Sequence, residues 1–241
     1  MKFFDYNLTT DTAEKQLLNG ESQETVVVGC LNPHSFVTAE EDAEFKRALQ
    51  RCTMLIPDGE GICMMLKRYK HTEVKKFAGD DLHNKVLAEL EAMGGKIFYL
   101  GSRQEVLDKI AARVRREYPH VSVGTHSPSY CAAFSDEENA EMVRQVNEFA
   151  PDVLMVGMTA PKQEKWIEAH RGELRGVKLI GAIGAVFEFY AGTVKRAPQW
   201  AIRLKMEWLF RLVKEPKRMW QRNFVSTPRY LKYVKRNHSK M

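Results

Sequence analysis

The chain alternates short β-rich runs with longer segments of helical periodicity, and this alternation limits the folds open to it. Six runs are rich in branched and aromatic residues, which favour strands. They are TVVVGCL (25–31), TMLIP (53–57), KIFYLGS (96–102), HVSVG (120–124), DVLMVG (152–157) and VKLIGA (177–182). Strands separated by helices of this length form parallel sheets with helices on both faces. The sequence therefore predicts a Rossmann-like α/β core over residues 1–194.

Short polar patterns predict where several helices begin. Three pairs have the Ser/Thr-x-x-Glu spacing of a capping box, namely Thr38 with Glu41, Ser102 with Glu105, and Ser135 with Glu138. Pro161 suits the first turn of the helix predicted for PKQEKWIEAH, because N–H groups in that turn have no partner within the helix. Near the C-terminus, Thr227-Pro228 predicts a fresh helix start.

Composition bears on size and location. The chain has 241 residues, 44% of them hydrophobic and 28% charged, which is typical of one globular domain with an appendage. It contains no run of eighteen apolar residues, and its opening stretch, MKFFDYNLTTDTAEKQ, lacks the apolar segment of a signal peptide. We expect a cytoplasmic protein with free thiols, because the four cysteines show no CxxC spacing. They are Cys30, Cys52, Cys63 and Cys131.

Charge is unevenly distributed along the chain. Residues 195–241 contain 14 Lys and Arg against 2 Asp and Glu, a net charge of +12, whereas the whole chain carries +6. Residues 1–194 therefore carry about −6. Three of the four tryptophans (Trp200, Trp208 and Trp220) also lie in this tail. We interpret residues 195–241 as a basic, aromatic helical appendage that associates peripherally with the anionic inner face of the cell membrane.

Ligands of such folds bind beyond the carboxyl ends of the strands, at one rim of the sheet. Five segments are expected there, namely NPHS (32–35), PDGEG (57–61), LGSRQ (100–104), GMTAPKQ (157–163) and GAIGAVFEF (181–189). Gly101 in the third segment is a candidate for substrate contact. The sequence has no HxxxH, CxxC or DxD arrangement, so it does not indicate a bound metal.

The segment around Asp58 allows more than one interpretation. Gly59 and Gly61 follow a strand and open a helix, as in a dinucleotide fingerprint, but Met64 replaces its third glycine. We therefore disfavour a nicotinamide or flavin cofactor. Asp58 itself stands between Pro57 and Gly59, where a carboxylate can accept a proton from a substrate hydroxyl. The alternative is that Asp58 only caps the following helix.

Lys162 and Gln163 are the candidates in the segment after the fifth strand. Both fall in the first turn of a predicted helix, where backbone N–H groups and the helix dipole favour a phosphate. The alternative is a solvated surface pair, and the residues alone leave the two readings open.

Five segments carry a resemblance to a known family. They are PDGEGI (57–62), FAGDDL (77–82), GMTAPKQEKWI (157–167), GAVFEFYAGTVKRAP (184–198) and EWLFRLVKEPKRMW (207–220). In this order and spacing the chain resembles the WecG/TagA/CpsF glycosyltransferases, glycosyltransferase family 26, from about Phe4 to Arg222. The resemblance implies a metal-independent, inverting transferase with a Rossmann-like core and a C-terminal appendage that helps form the active site at the membrane.

The resemblance also implies substrates and roles. Such enzymes move a sugar, often N-acetylmannosamine or a relative, from a UDP donor to an undecaprenyl-diphosphate-linked sugar during synthesis of cell-surface polymers. Asp58 matches the proposed catalytic base. The other matched positions are implied to contact substrate, and they are Cys30, Asn32, Lys76, Gln163, Glu188, Arg196, Arg211 and Arg218.

The chain departs from the family pattern at several of these positions. Cys30 replaces a threonine, Lys76 an arginine and Glu188 an aspartate. Thr159 replaces a glycine, and Gln221 stands where a third appendage arginine is expected. These departures leave the implied reaction class unchanged and bear on the identity of the donor sugar.

Two other classes remain open from the sequence. The basic tail suits a nucleic-acid-binding protein, although no nucleic-acid motif lies near it and the acidic body repels a polyanion. A non-catalytic nucleotide-sugar-binding protein is the other alternative. WAIRLKMEWLFRLVK (200–214) either packs its apolar side on the core or contacts lipid. We expect a chain ending near Lys195 to stay folded, because its sheet is complete. A homo-oligomer is compatible with the sequence.

Overall fold

The computed structural model describes residues 1–12, 16–18, 24–194, 212 and 216–240. All six predicted strands are confirmed, and an N-terminal hairpin precedes them. The strands are β1 (Lys2–Phe3), β2 (Tyr6–Asn7), β3 (Val26–Leu31), β4 (Met54–Pro57), β5 (Lys96–Leu100), β6 (Ser122–His126), β7 (Val153–Val156) and β8 (Leu179–Ala182). β6 begins two residues later than predicted, because a turn closed by the Val121 N–H on the Tyr118 carbonyl (3.1 Å) comes first.

The main sheet is parallel, with the spatial order β4-β3-β8-β7-β5-β6. Helices alternate with its strands, which confirms the predicted α/β class. Within residues 24–194 they are α1 (Pro33–Glu41), α2 (Ala43–Gln50), α3 (Glu60–Lys70), α4 (Gly79–Met93), α5 (Gln104–Glu117), α6 (Asp136–Phe149), α7 (Lys162–His170) and α8 (Val186–Tyr190).

Successive residues along the strands pack into two separate hydrophobic cores, one on each face of the sheet. Tyr99 and Met155 pack in a cluster with residues of α4, α5 and α8, whereas their neighbours Phe98 and Leu154 pack with α6 and α7. This alternation follows from the two-residue period of a strand. Because both faces are covered, substrates can reach the sheet only at its rims.

The N-terminal hairpin covers the β4 edge of the sheet and was not predicted. Leu8 bridges to Leu55 in parallel, and the Thr9 N–H donates to the Leu55 carbonyl at 2.9 Å. Phe3 and Tyr6 are fully buried. The hairpin therefore protects an edge strand that would otherwise expose unpaired backbone groups.

The predicted start of the first helix was wrong. Asn32 is the N-cap of α1, and its Oδ1 accepts the N–H groups of His34 and Ser35 at 3.0 and 2.9 Å. Thr38 lies inside α1, where its hydroxyl donates to the His34 carbonyl at 2.9 Å. A second helix, α2, then starts at its own cap, Asp42. Asn32-Pro33 makes the stronger start because Pro suits the first helical position.

The other two capping boxes had different outcomes. Ser135 and Glu138 form the predicted box at α6, so that prediction is confirmed. Ser102 does not cap α5, because its φ of +65° puts it in a left-handed turn and Arg103 occupies the N-cap position. Pro161 precedes α7 as its N-cap residue, which agrees with the predicted boundary.

The described C-terminal segment, residues 216–240, is continuously helical. It consists of α9 (Pro216–Trp220), a π-helical turn (Gln221–Ser226), α10 (Thr227–Asn237) and a final 3₁₀ turn (His238–Lys240). Thr227 is therefore not a fresh helix start, and Ser226 before it has helical φ and ψ. No helix in the ranges described is long and apolar enough to cross a membrane.

Candidate active site

The loops after β3 and β4 bring two predicted site residues together at the carboxyl rim. The two strands are neighbours, and the Asp58 N–H donates to the Leu31 carbonyl at 2.8 Å. Asn32 follows Leu31 directly. Asp58 is half-buried, and Gly59 holds the N-cap position of α3, so Asp58 lies one residue outside that helix. The position that a simple capping role would require is thus taken by glycine.

Gly59 and Gly61 serve different purposes. Gly59 has φ of +99°, which only glycine adopts without strain, and a Cβ there would meet nothing within 4 Å. A Cβ on Gly61 would lie 2.6 Å from the ring of Pro33. Gly61 therefore allows α3 to pack closely on the start of α1. That packing accounts for a glycine at this position.

Acidic groups gather around Cys30 at the end of β3. Burial raises the pKa of the Cys30 thiol well above its usual value, and the charges of Asp58, Glu164 and Asp80 raise it further. The thiol is therefore held neutral. The backbone carbonyl oxygen of Cys30 accepts a hydrogen bond from the Ser35 hydroxyl at 3.4 Å. The departure from threonine thus places a neutral, partly buried thiol near carboxyl groups.

Lys76 lies on the same side of the site as Asp58. Burial and the charges of Glu60 and Asp58 raise the pKa of the Cys63 thiol on α3, whereas Lys76 lowers it. Both charges are therefore near the first turns of α3. Lys76 is exposed, so an anionic substrate can approach it from solvent.

A second part of the rim is the crevice between β5 and β7. The connection after β5 runs outward to β6 and the one after β7 runs inward to β8, so the strand order reverses here. Such reversals form the ligand crevice of open α/β sheets. Gly101 has φ of +107°, and a Cβ there would lie 2.8 Å from the Gly157 carbonyl oxygen. The two backbones therefore approach closely at the base of the crevice.

Lys162 and Gln163 both lie at this crevice, but each is engaged with the protein. The Lys162 ammonium donates to the Cys131 carbonyl at 2.7 Å and lies 3.4 Å from the centre of the Phe134 ring. Gln163 is 5% exposed. Its Oε1 accepts the Met158 N–H at 3.2 Å, and its Nε2 donates to Glu164 at 2.9 Å. The solvated pair considered from the sequence is therefore wrong for Gln163.

Glu188 closes the rim on α8. Its carboxylate lies 3.6 Å from the Arg103 guanidinium and accepts a hydrogen bond from the Thr193 hydroxyl. Its backbone carbonyl accepts the N–H groups of Thr193 and Val194 at 3.1 and 3.2 Å. Glu188 therefore fixes the last described residues before the C-terminal tail.

The C-terminal helix contacts the Asp58 side of the rim. The Ser226 hydroxyl lies 2.8 Å from Nδ1 of His34, and the Tyr230 hydroxyl donates to the Gly61 carbonyl at 3.3 Å. Tyr230 and Val234 are fully buried in the cluster that includes Phe36. The tail and the core thus meet next to Asn32 and Asp58.

Three predicted tail residues have no described side chain. Arg196 and Arg211 lie outside the described residues, as does all of the 200–214 segment except Leu212. Arg218 lies in α9, where the structure describes its backbone only. Among the residues described, His, Cys, Asp and Glu side chains form no group of three that could hold a metal ion.

Three residues of this region were not proposed from the sequence. Asp80 lies in the first turn of α4, where the helix dipole stabilises an acidic side chain. Its charge raises the pKa of the Cys30 thiol. His34 joins the tail to α1, and Glu164 is a buried carboxyl beside Gln163. Glu164 follows Lys-Gln in an otherwise amphipathic helix, and nothing local signals its burial.

The rim of this doubly wound sheet has a glycine-lined crevice between β5 and β7 and a carboxylate at the end of β4, which is the edge where open α/β enzymes bind their ligands. The model of the Glycosyl transferase WecG/TagA/CpsF family matches residues 4–240. The chain therefore belongs to this family and is a glycosyltransferase, as the resemblance implied.

Curated relatives match almost the whole chain. A protein from Bacillus subtilis is 29% identical over 95% of this chain and 86% of its own length. One from Bacillus spizizenii is 26% identical over 97% and 88%, and one from Staphylococcus aureus is 26% identical over 85% and 78%. Each of these relatives is named N-acetylglucosaminyldiphosphoundecaprenol N-acetyl-beta-D-mannosaminyltransferase.

Proposed function

We propose that this protein transfers a sugar of the N-acetylmannosamine type, or a related hexose, from a UDP donor to an undecaprenyl-diphosphate-linked sugar in cell-surface polysaccharide synthesis. The transfer inverts the anomeric centre and needs no metal. The observation that carries the proposal is Asp58, a half-buried carboxylate at the end of β4, tied to the Asn32 loop beside a glycine turn. The names of the curated relatives supply the acceptor and the donor sugar.

Asp58 acts as the general base. It takes the proton of the acceptor hydroxyl while that oxygen attacks the anomeric carbon from the face opposite the donor diphosphate. The bond from the anomeric carbon to the diphosphate oxygen breaks, and UDP leaves with the electron pair. Three strand spacings of about 4.8 Å separate β4 from β7, so the base lies roughly 14 Å from the β5–β7 crevice. An extended nucleotide-sugar spans such a distance between crevice and base.

The leaving diphosphate needs cations and backbone donors, because its charge grows as the bond breaks. Arg196, Arg211 and Arg218 from the tail are the proposed cations, together with Lys162. Lys162 reaches a phosphate by releasing the Cys131 carbonyl, which it now holds at 2.7 Å. Residues 195–241 therefore complete the active site as an appendage to the core formed by residues 1–194.

The tail also brings the enzyme to its lipid-linked acceptor at the inner face of the cell membrane. Trp220 and Phe224 are 60% and 47% exposed, with their rings 4.5 Å apart between centres. Leu231 is also exposed, whereas Tyr230 beside it is buried. The helix thus turns one apolar face to the core and another to solvent, and the second face suits the lipid interface.

The direct test supplies a panel of UDP-sugars and a short-chain lipid-diphosphate-N-acetylglucosamine, with UDP release as the readout. We expect release above the rate without acceptor for at least one UDP-sugar, with UDP-N-acetylmannosamine first in the panel. Binding of UDP without turnover of any donor would favour the non-catalytic alternative.

Transferase activity is expected to survive EDTA. The mechanism assigns charge stabilisation to Lys and Arg side chains, and no carboxylate cluster for a divalent ion lies in the described ranges. The measurement is the initial rate of UDP release after dialysis against chelator. Loss of activity that magnesium or manganese restores would contradict the metal-free mechanism.

Binding to anionic vesicles is expected to depend on the exposed aromatic pair. The full chain should co-sediment with phosphatidylglycerol vesicles at low salt and less at high salt, because screening weakens long-range attraction. Replacing Trp220 and Phe224 together by Ser should reduce the bound fraction severalfold.

A matched control removes an equally exposed aromatic elsewhere. Tyr130, in the loop after β6, is fully exposed, and Tyr130→Ser should leave vesicle binding unchanged. Equal losses in both variants would contradict a membrane face on the tail. Retention on DNA at matched salt, without retention on vesicles, would favour the nucleic-acid alternative.

A further inference from the structure

The side-chain amide of Gln163 has a fixed orientation beneath the turn that joins β7 to α7. Its Oε1 faces the Met158 N–H at 3.2 Å, and a backbone N–H can only donate. Its Nε2 therefore faces the carboxyl of Glu164 and donates to Oε1 at 2.9 Å. A Cβ on Gly184 would lie 3.3 Å from the Gln163 Oε1, so the amide is enclosed there too. Gln163 thus links the Met158 turn to the carboxyl of Glu164.

Glu164 supplies that acceptor from a buried position. The residue is 6% exposed, and Oε1 must accept in either protonation state. A proton on this carboxyl is therefore carried by Oε2. Within the described part of the chain, Oε2 is buried and has no hydrogen-bond partner. Glu164 can consequently gain or lose a proton without breaking its bond to Gln163.

Three carboxyl groups, that of Glu164 among them, lie close enough to the Cys30 thiol to raise its pKa. Cys30 on β3 and Cys52 after α2 both lie within reach of its charge. Asp58 and Asp80, from the loop after β4 and from α4, act on the same Cys30 thiol. An ionised Glu164 therefore adds to an already negative region of the rim.

Glu168, one turn further along α7, offers a contrast. It lines a small cavity of about 10 Å³ together with Glu164 and Cys52. Its carboxylate is paired with Arg51 at 2.7 Å and with Arg171 at 3.5 Å. Both arginines are therefore paired with Glu168. The charge of Arg171 also lowers the pKa of the Cys52 thiol. Glu164 and Glu168 lie on the same helix and line the same cavity. The carboxylate of Glu168 is paired with two arginines, whereas Oε2 of Glu164 has no hydrogen-bond partner in the described part of the chain.

We propose that Glu164 is a positioning residue for the donor site, which orients Gln163 and the Met158 turn and binds an anionic donor more tightly in its neutral form. The inference rests on the proposed function, because it takes a nucleoside diphosphate as the ligand. A neutral carboxyl keeps the acceptor that Gln163 needs. An ionised carboxyl keeps the same bond and adds a charge that repels the diphosphate.

The carboxyl of Glu164 gains or loses its proton near neutral pH. Burial raises the pKa of Glu164 from 4.5 to about 7, partly offset by the hydrogen bond from Gln163. The folded protein therefore holds this proton more tightly than the unfolded chain does. The stabilisation from this proton is complete below pH 4.5 and is lost as the pH rises through about 7.

The test measures UDP affinity by calorimetry between pH 5.5 and 8.5 for the full chain, Glu164→Gln and Glu168→Gln. Gln at 164 keeps the acceptor oxygen and imitates the neutral carboxyl. We expect wild type to lose about three- to tenfold in affinity across this range relative to Glu164→Gln, the scale of one added charge in a partly buried site. Ionisation of UDP itself is common to all three proteins and cancels in the comparison.

The control and a second readout decide the outcome. Glu168→Gln should follow wild type. The melting temperature of Glu164→Gln should exceed that of wild type at pH 8.5 and match it near pH 5. Parallel pH profiles for wild type and Glu164→Gln would overturn the tighter binding of the donor to the neutral form of Glu164, even if UDP binds. Failure of UDP to bind any of the three proteins would overturn the donor assignment and the proposed function, and the melting curves would still report on Glu164.

Discussion

Asp58→Asn is expected to cut turnover by on the order of a hundredfold or more, the usual scale for loss of a general base. The amide has the same shape as the carboxylate but cannot take up the proton of the acceptor hydroxyl. The melting temperature should stay within a few degrees of wild type, because the side chain is half-buried and the backbone bond to Leu31 (2.8 Å) is retained. The measurements are kcat from UDP release and thermal unfolding.

Asp80→Asn is the matched control for this prediction. Asp80 acts on the same Cys30 thiol as Asp58, so its replacement removes one negative charge from the same rim. We expect its turnover to remain within a few fold of wild type. Comparable losses in the two variants would attribute the effect to the charge of the rim, and near-full activity of Asp58→Asn would exclude the base assignment.

The fold could be predicted from the sequence because its signals are local and periodic. Runs such as VVVGCL and VLMV contain branched residues at consecutive positions, as strands buried on both faces require. The rim could be predicted for a related reason, since parallel strands bring their carboxyl ends to one edge. Asn32 and Asp58 are therefore neighbours although 26 residues separate them.

Capping motifs were less reliable because they are short. Thr38 and Glu41 have the correct spacing, yet they lie in the last turns of a helix that Asn32 had already started. A Ser or Thr followed three residues later by Glu occurs by chance on many polar helix faces. The capping box predicted at Ser135 was confirmed because a loop precedes this residue and three acidic residues follow it in the first turn of α6.

Contacts between distant segments could not be predicted from local patterns. Glu164 is buried because α7 packs against β3 and the residues after α2, a consequence of the whole topology. The C-terminal segment also contacts α1 through Ser226, whose hydroxyl lies 2.8 Å from Nδ1 of His34, 192 residues away in sequence. Lys162 likewise binds the Cys131 carbonyl, which its helix position alone does not suggest.

The docked C-terminal helix changes the expectation for a truncated chain. Residues 1–194 contain the whole sheet, but Phe36, Phe4 and Tyr6 pack in one aromatic cluster with Tyr230 and Tyr233. A chain ending near Lys195 would expose this cluster to water. We therefore expect truncation to lower stability as well as activity, and a point substitution separates the two effects better.

Tyr230→Ala is expected to destabilise the protein by about 3–5 kcal/mol, the usual cost of truncating a buried aromatic residue to alanine. Tyr230 is fully buried, its ring lies edge-on to Phe36 at 5.4 Å between centres, and its hydroxyl donates to the Gly61 carbonyl. For a domain of this size, each 1 kcal/mol corresponds to about 2–4 °C in melting temperature. Thermal unfolding of the full chain measures the change.

Leu231→Ala is the control, because Leu231 is the next residue of the same helix and is 44% exposed. Surface substitutions of this kind cost about 0.5 kcal/mol or less. Because Gly61 and Phe36 belong to the helices that start beside Asp58 and Asn32, loosening of α10 should also lower turnover at temperatures where the sheet remains folded. If the two variants melted at the same temperature, the packing of Tyr230 on α1 would contribute little to the stability of the fold.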